Sequence, residues 1–221
     1  MGASAGIMIN AIIFDLDSCL SAADEVGSQF FGPAFTAVRR ENAGAISEAE
    51  LLKAFAECWR FPFDDVSNRF GFTESMREAG FRSFAELAVT APMYGYGDLD
   101  VLKELPARLF LVTTGFRRLQ ESKIAALGIA PIFEEICIDA IDEPNPRGKA
   151  AIFAELAARR GLHADRTIVV GDNPDSEIAA GNGLGMTTVQ ILRPGVTPGS
   201  NAAHTITGLA ELKGVIQSLH R

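Results

Sequence analysis

Apolar and polar positions alternate in two different rhythms along this chain. Ala11-Ile12-Ile13-Phe14 is a short unbroken apolar run rich in β-branched and aromatic residues, which predicts a strand buried on both faces. It ends abruptly at Asp15-Leu16-Asp17. From residue 21 to about 97 strand-like alternation disappears. Ser47-Glu48-Ala49-Glu50 forms a capping box, and Leu51, Leu52, Phe55, Cys58 and Trp59 recur behind it at helical spacing. Weaker helices are expected around 73–79 and 83–89, with Gly71, Gly80 and Pro92 as breaks and Tyr94-Gly95-Tyr96-Gly97 as a hinge.

Beyond Gly97 strands and helices alternate. Leu109–Val112, Ile136–Ile138, Thr167–Val170 and Thr187–Ile191 read as strands. Helices are expected over 116–127, stopped by Gly128, and over 149–160, with Ile152 and Leu156 inward and Gly161 as the stop. A last amphipathic helix is expected over 208–219. This order predicts an α/β protein with a doubly wound parallel sheet built from residues 1–20 and 98–221, into which a helical cap of residues 21–97 is inserted.

Composition narrows the function. Of 221 residues, 48% are apolar, ample for a core of this size. The net charge of -8 and the scattered basic residues argue against nucleic acid or an anionic membrane as partner. Three widely spaced cysteines fit a reducing compartment, so a cytoplasmic location is expected, as a monomer or homodimer. The small residues before Met8 carry no pattern and are expected to be a tag remnant, and no run reaches membrane-spanning length.

The strand ends carry the chemistry. Asp15 and Asp17 follow the first strand, Thr113-Thr114-Gly115 the second, Lys149 opens a helix, and Gly171-Asp172 precedes Asp175 and Glu177. In a parallel sheet these ends open on one edge, where ligands bind. Asp15 alone reads equally well as a helix or turn cap, and Glu177 nearly as well as a solvated first-turn acid. Together, the acids suit a hard divalent cation, while a hydroxyl and an ammonium suit a phosphate.

In these motifs the chain resembles the haloacid dehalogenase-like superfamily of aspartate-dependent phosphatases. Asp15-Leu16-Asp17-Ser18-Cys19-Leu20 matches DxDx[TV][LV] with Cys19 in place of Thr or Val, and Leu111-Val112-Thr113 matches the second motif, with Thr114 where Asn is common. Lys149 matches the third motif, and Gly171-Asp172 with Glu177 matches the fourth, Asp175 being the poorer partner. The resemblance implies a Mg²⁺-dependent phosphatase of a small phosphorylated metabolite. Asp15 would be the nucleophile and a metal ligand, and Asp17 the acid/base, with its main-chain carbonyl also on the metal. Asp172 and Glu177 would complete the Mg²⁺ site, Glu177 acting through water or Lys149. Thr113, Thr114, Gly115 and Lys149 would hold the phosphoryl group.

Within the cap, Arg60 is the chosen substrate-binding residue, with Arg39, Arg40 and Arg69 as rivals. Cys19 is read as packing, Lys123 as a solvated helical residue, and His163, His204 and His220 as capping or solvated groups. A β-phosphoglucomutase-like phosphomutase, a phosphorylation-responsive receiver and a non-catalytic binding protein are the alternatives.

Overall fold

The computed structural model describes residues 8–220, so the expectation for the residues before Met8 falls outside it. Strand β1 (Ala11–Phe14) lies at the centre of a six-stranded parallel sheet. The other strands are β2 (Arg108–Gly115), β3 (Glu135–Ala140), β4 (Thr167–Gly171), β5 (Thr187–Ile191) and β6 (His204–Ile206). Their order is β3-β2-β1-β4-β5-β6. The unbroken apolar run of β1 has its cause here, because the strand is covered on both faces. Ile12 and Phe14 join Leu109, Leu111, Ile168 and Val170 on one side, and Ala11 and Ile13 join Phe110, Val112 and Val169 on the other.

Residues 32–85 form four helices, α1 (Gly32–Glu41), α2 (Glu48–Glu57), α3 (Phe63–Arg69) and α4 (Glu74–Ala85). At the start of α2, Ser47 Oγ accepts from Glu50 N at 3.3 Å, the N-cap bond expected there, and donates to the Glu50 carboxylate at 2.9 Å. Helix α4 corrects the expectation of two helices broken at Gly80. That glycine sits mid-helix because a Cβ there would lie 2.1 Å from the Phe63 ring, so close packing rather than chain reversal requires it. The core of this segment is aromatic. Phe31 stacks on Trp59 with ring centroids 4.0 Å apart, and Phe35 stacks on Phe55 at 4.2 Å. Phe116, immediately after β2, enters the same cluster and stacks on Phe84 at 5.2 Å, seating the helices on the sheet edge.

The remaining helices are α5 (Arg117–Leu127), α6 (Gly148–Arg160), α7 (Ala179–Gly183) and α8 (Leu212–Leu219). The expected last helix over 208–219 is a short 3-10 turn followed by α8, and His204 begins β6. At the connection back from the helices, Gly95 and Gly97 adopt left-handed φ angles of 65° and 81°, and the Glu25 carboxylate accepts from the Tyr94 and Gly95 N–H groups. Asp98 then pairs with buried Arg193 at 2.9 Å and accepts from Leu209 N. At the opposite end of the sheet, edge strand β3 carries Glu135, bonded to Arg159 and Arg160, while adjoining Glu134 pairs with Arg108.

No helix among the described residues is long and apolar enough to cross a membrane.

Candidate active site

The carboxyl ends of the central strands converge on Asp15. Its N–H still donates to Val170 O of β4, so the side chain projects from a backbone held on both sides. Lys149 Nζ lies 2.7 Å from Asp15 Oδ1 and 2.7 Å from Glu177 Oε2, bridging two buried carboxylates. Lys149 owes its position to Asp139 at the end of β3. The Asp139 carboxylate accepts from Arg147 N and Gly148 N at 2.9 and 3.0 Å and so fixes the first turn of α6.

Glu177 lies on a single π turn, Pro174–Ile178, and its Oε1 accepts from Asn173 N at 2.6 Å. A Cβ at residue 171 would lie 2.2 Å from Glu177 Cγ. Gly171 is therefore the residue that lets Glu177 fold beneath the strand end.

Burial dominates the electrostatics. It pushes the Asp15 carboxyl up to about 7 against the pull of Lys149, with Glu177 adding repulsion. Burial, then Asp15 and Glu177, raise Asp172 to about 8. For Lys149 burial alone would favour the neutral amine, but Asp15 and Glu177 outweigh it and hold the ammonium well above its usual value. Asp15, Asp172 and Glu177 each offer an oxygen within 4.8 Å of the others, the only such cluster among the described residues. Three carboxylate oxygens this close together suit a hard divalent cation, which would relieve their repulsion.

Asp17 stands apart from that cluster. Its carboxylate receives Lys123 Nζ at 2.8 Å and Gln120 Nε2 at 3.0 Å. This corrects the reading of Lys123 as solvated, because the side chain is only 4% exposed. Leu119, Gln120, Lys123 and Ile124 form the inward stripe of α5, and this helical spacing was the signal for Lys123. Thr113 is buried at the end of β2, and with Thr114 and Gly115 it lines the same cleft. Asp175 is exposed at the margin, with its N–H donating to Asn173 Oδ1, and lies outside the acidic cluster.

The cleft has a volume of about 1010 Å³ and is walled on the helical side by Trp59, Arg60, Phe61, Asp64 and Arg69. Arg60 is exposed on that wall. Of its rivals, Arg69 pairs with Glu57 and lies over the Phe61 ring, and Arg39 pairs with Glu48. Cys19 is buried, its Sγ directed at Val170 O, and burial raises the thiol far above its usual value, in keeping with packing rather than attack.

Residues 9–185 match the family described as haloacid dehalogenase-like hydrolase, and the chain belongs to it. Two similar proteins are named glyceraldehyde 3-phosphate phosphatase. That of Methanopyrus kandleri is 28% identical over 84% of this chain and 85% of its own, and that of Methanocaldococcus jannaschii is 26% identical over 97% and 100%. In fold, the chain is similar to the crystal structure of a HAD phosphatase from Thermococcus onnurineus, with a TM-score of 0.62 and 22% identity, covering 94% of this chain and 98% of that one.

Proposed function

We infer that this protein is a Mg²⁺-dependent phosphatase that hydrolyses small phosphate monoesters through an aspartyl-phosphate. One observation carries the reading: Asp15, Lys149, Glu177 and Asp172 meet at one sheet edge in a cleft that Asp17 and Thr113 also line. The names of the two archaeal relatives make glyceraldehyde 3-phosphate the first substrate to test.

An Asp15 carboxylate oxygen attacks phosphorus, and the bond from phosphorus to the alkyl oxygen breaks. Asp17 gives its proton to that departing oxygen and becomes a carboxylate. In the second step Asp17 takes a proton from water as the water oxygen bonds to phosphorus, the phosphorus–Asp15 bond breaks, and phosphate leaves. Thr113 and Lys149 hold the oxygens of the transferring group. Glu177 acts through Lys149 and keeps the ammonium beside Asp15. Asp15, Asp172 and the Asp17 main-chain carbonyl would hold Mg²⁺, whose charge offsets the repulsion between nucleophile and phosphate.

The helical segment of residues 21–97 is the cap over the core of residues 1–20 and 98–221. It shields the reacting groups from bulk water and limits access to small substrates.

The test is phosphate release from a panel of metabolite phosphates with Mg²⁺, with product analysis to reveal any isomerised phosphosugar. Chelation and Asp15→Asn should each abolish release while circular dichroism is unchanged. Undiminished release by Asp15→Asn would overturn the mechanism.

A further inference from the structure

Asp17 is held in an unusual way. Lys123 is among the few fully charged side chains buried in this protein, and its ammonium lies 2.8 Å from Asp17 Oδ1. Gln120, 3% exposed, gives its amide to Asp17 Oδ2 at 3.0 Å and to Thr114 O at 3.0 Å. Each carboxylate oxygen thus receives one donor from α5, and the two donors are three residues apart on one helix face. Gly115 is shaped to this arrangement. Its φ is 156°, and a Cβ there would lie 2.5 Å from Gln120 Nε2, so any side chain would push the amide off Asp17. Burying a lysine costs stability unless its partner is fixed, and orienting one acid accounts for keeping it.

We propose that Lys123 and Gln120 are positioning residues that clamp the Asp17 carboxyl for proton transfer to the leaving group. As Asp17 releases its proton to the departing alkyl oxygen, negative charge arrives on its carboxylate, and Lys123 and Gln120 already point at the two oxygens that receive it. The clamp therefore acts in the half-reaction that breaks the bond from phosphorus to the alkyl oxygen. It matters most where the leaving group is a poor one.

This inference rests on the proposed role of Asp17, and the test separates the two. kcat/KM is measured for glycerol 3-phosphate, whose alkoxide needs a proton, and for p-nitrophenyl phosphate, whose phenolate leaves without one. Lys123→Met should lower kcat/KM for the alkyl ester roughly 10-fold or more and for the aryl ester much less. Gln120→Met should repeat the pattern more weakly, and covers the case in which Lys123→Met fails to fold. Asp17→Asn should show the same selectivity, and adding Lys123→Met to it should lower the alkyl value little further. Equal losses on both esters in the clamp variants, with selectivity kept in Asp17→Asn, would overturn the clamp alone. Equal losses in Asp17→Asn would overturn the acid role of Asp17, and the clamp with it.

Discussion

The sheet and the helical segment are held together by different means. The sheet is packed mainly by aliphatic side chains on both faces, and at its strand ends Asp15 and Glu177 are held by Lys149 and a main-chain N–H group. The helical segment is packed by rings, and of the polar groups it turns toward the cleft Arg60, Asp65 and Arg69 are exposed and Asp64 is half-buried. Groups that must be within tenths of an ångström of a reacting atom belong on the rigid side. Groups that only select a substrate can stay on the solvated one.

Four substitutions would break or sharpen that contrast. The largest effect is expected for Lys149→Met, which leaves Asp15 and Glu177 facing each other without a cation. Turnover should fall about 10²- to 10³-fold, read as kcat. Next is Gly80→Ala, whose methyl must displace the Phe63 ring. Urea unfolding should show a loss of about 1 to 3 kcal/mol. Asp98→Asn should cost about 2 kcal/mol, because Arg193 is left buried without its anion.

The pH dependence of that third contact has a definite sign. Burial would raise the Asp98 carboxyl, but Arg193 and Leu209 N more than compensate and hold it below its ordinary value. The pair therefore stabilises the protein above the ordinary carboxylate range, and this contribution is lost as the pH falls through the depressed value. The difference between wild type and Asp98→Asn should narrow in acid unfolding curves. The smallest effect is expected for Arg60→Ala, which should raise KM about fivefold with a smaller change in kcat, as befits an exposed charge.

The sequence was most legible where one local cause acts. Strand β1 reads from its four apolar residues, α2 from its capping box, and the stops of α5 and α6 from Gly128 and Gly161, both in left-handed conformation. Helices α1 and α3 were missed because neither carries a side-chain cap; tertiary packing of Phe31, Phe63 and Val66 holds them instead. Gly80 was read by its propensity when its neighbour decided its role. Strand β6, three residues long, leaves almost no pattern to read.

In the site, Asp15, Lys149, Asp172 and Glu177 were legible as charges at strand and helix boundaries. Asp139 was not, since the third strand was expected to stop at Ile138, and an acid that holds a helix start looks like any loop acid. Lys123 was missed because a lysine is ordinarily solvated, and only the contact with Asp17 explains its burial.

Edge strand β3 has a consequence for the protein in crowded solution. The free edge of a sheet offers unpaired N–H and C=O groups to any extended chain, and so invites aggregation. Here Glu135 emerges at that edge already engaged by Arg159 and Arg160, beside the pair of Glu134 with Arg108. A strand adding to β3 would have to displace or desolvate these charges. The same ion pairs that contribute little to folding thereby raise the cost of adding a strand at this edge.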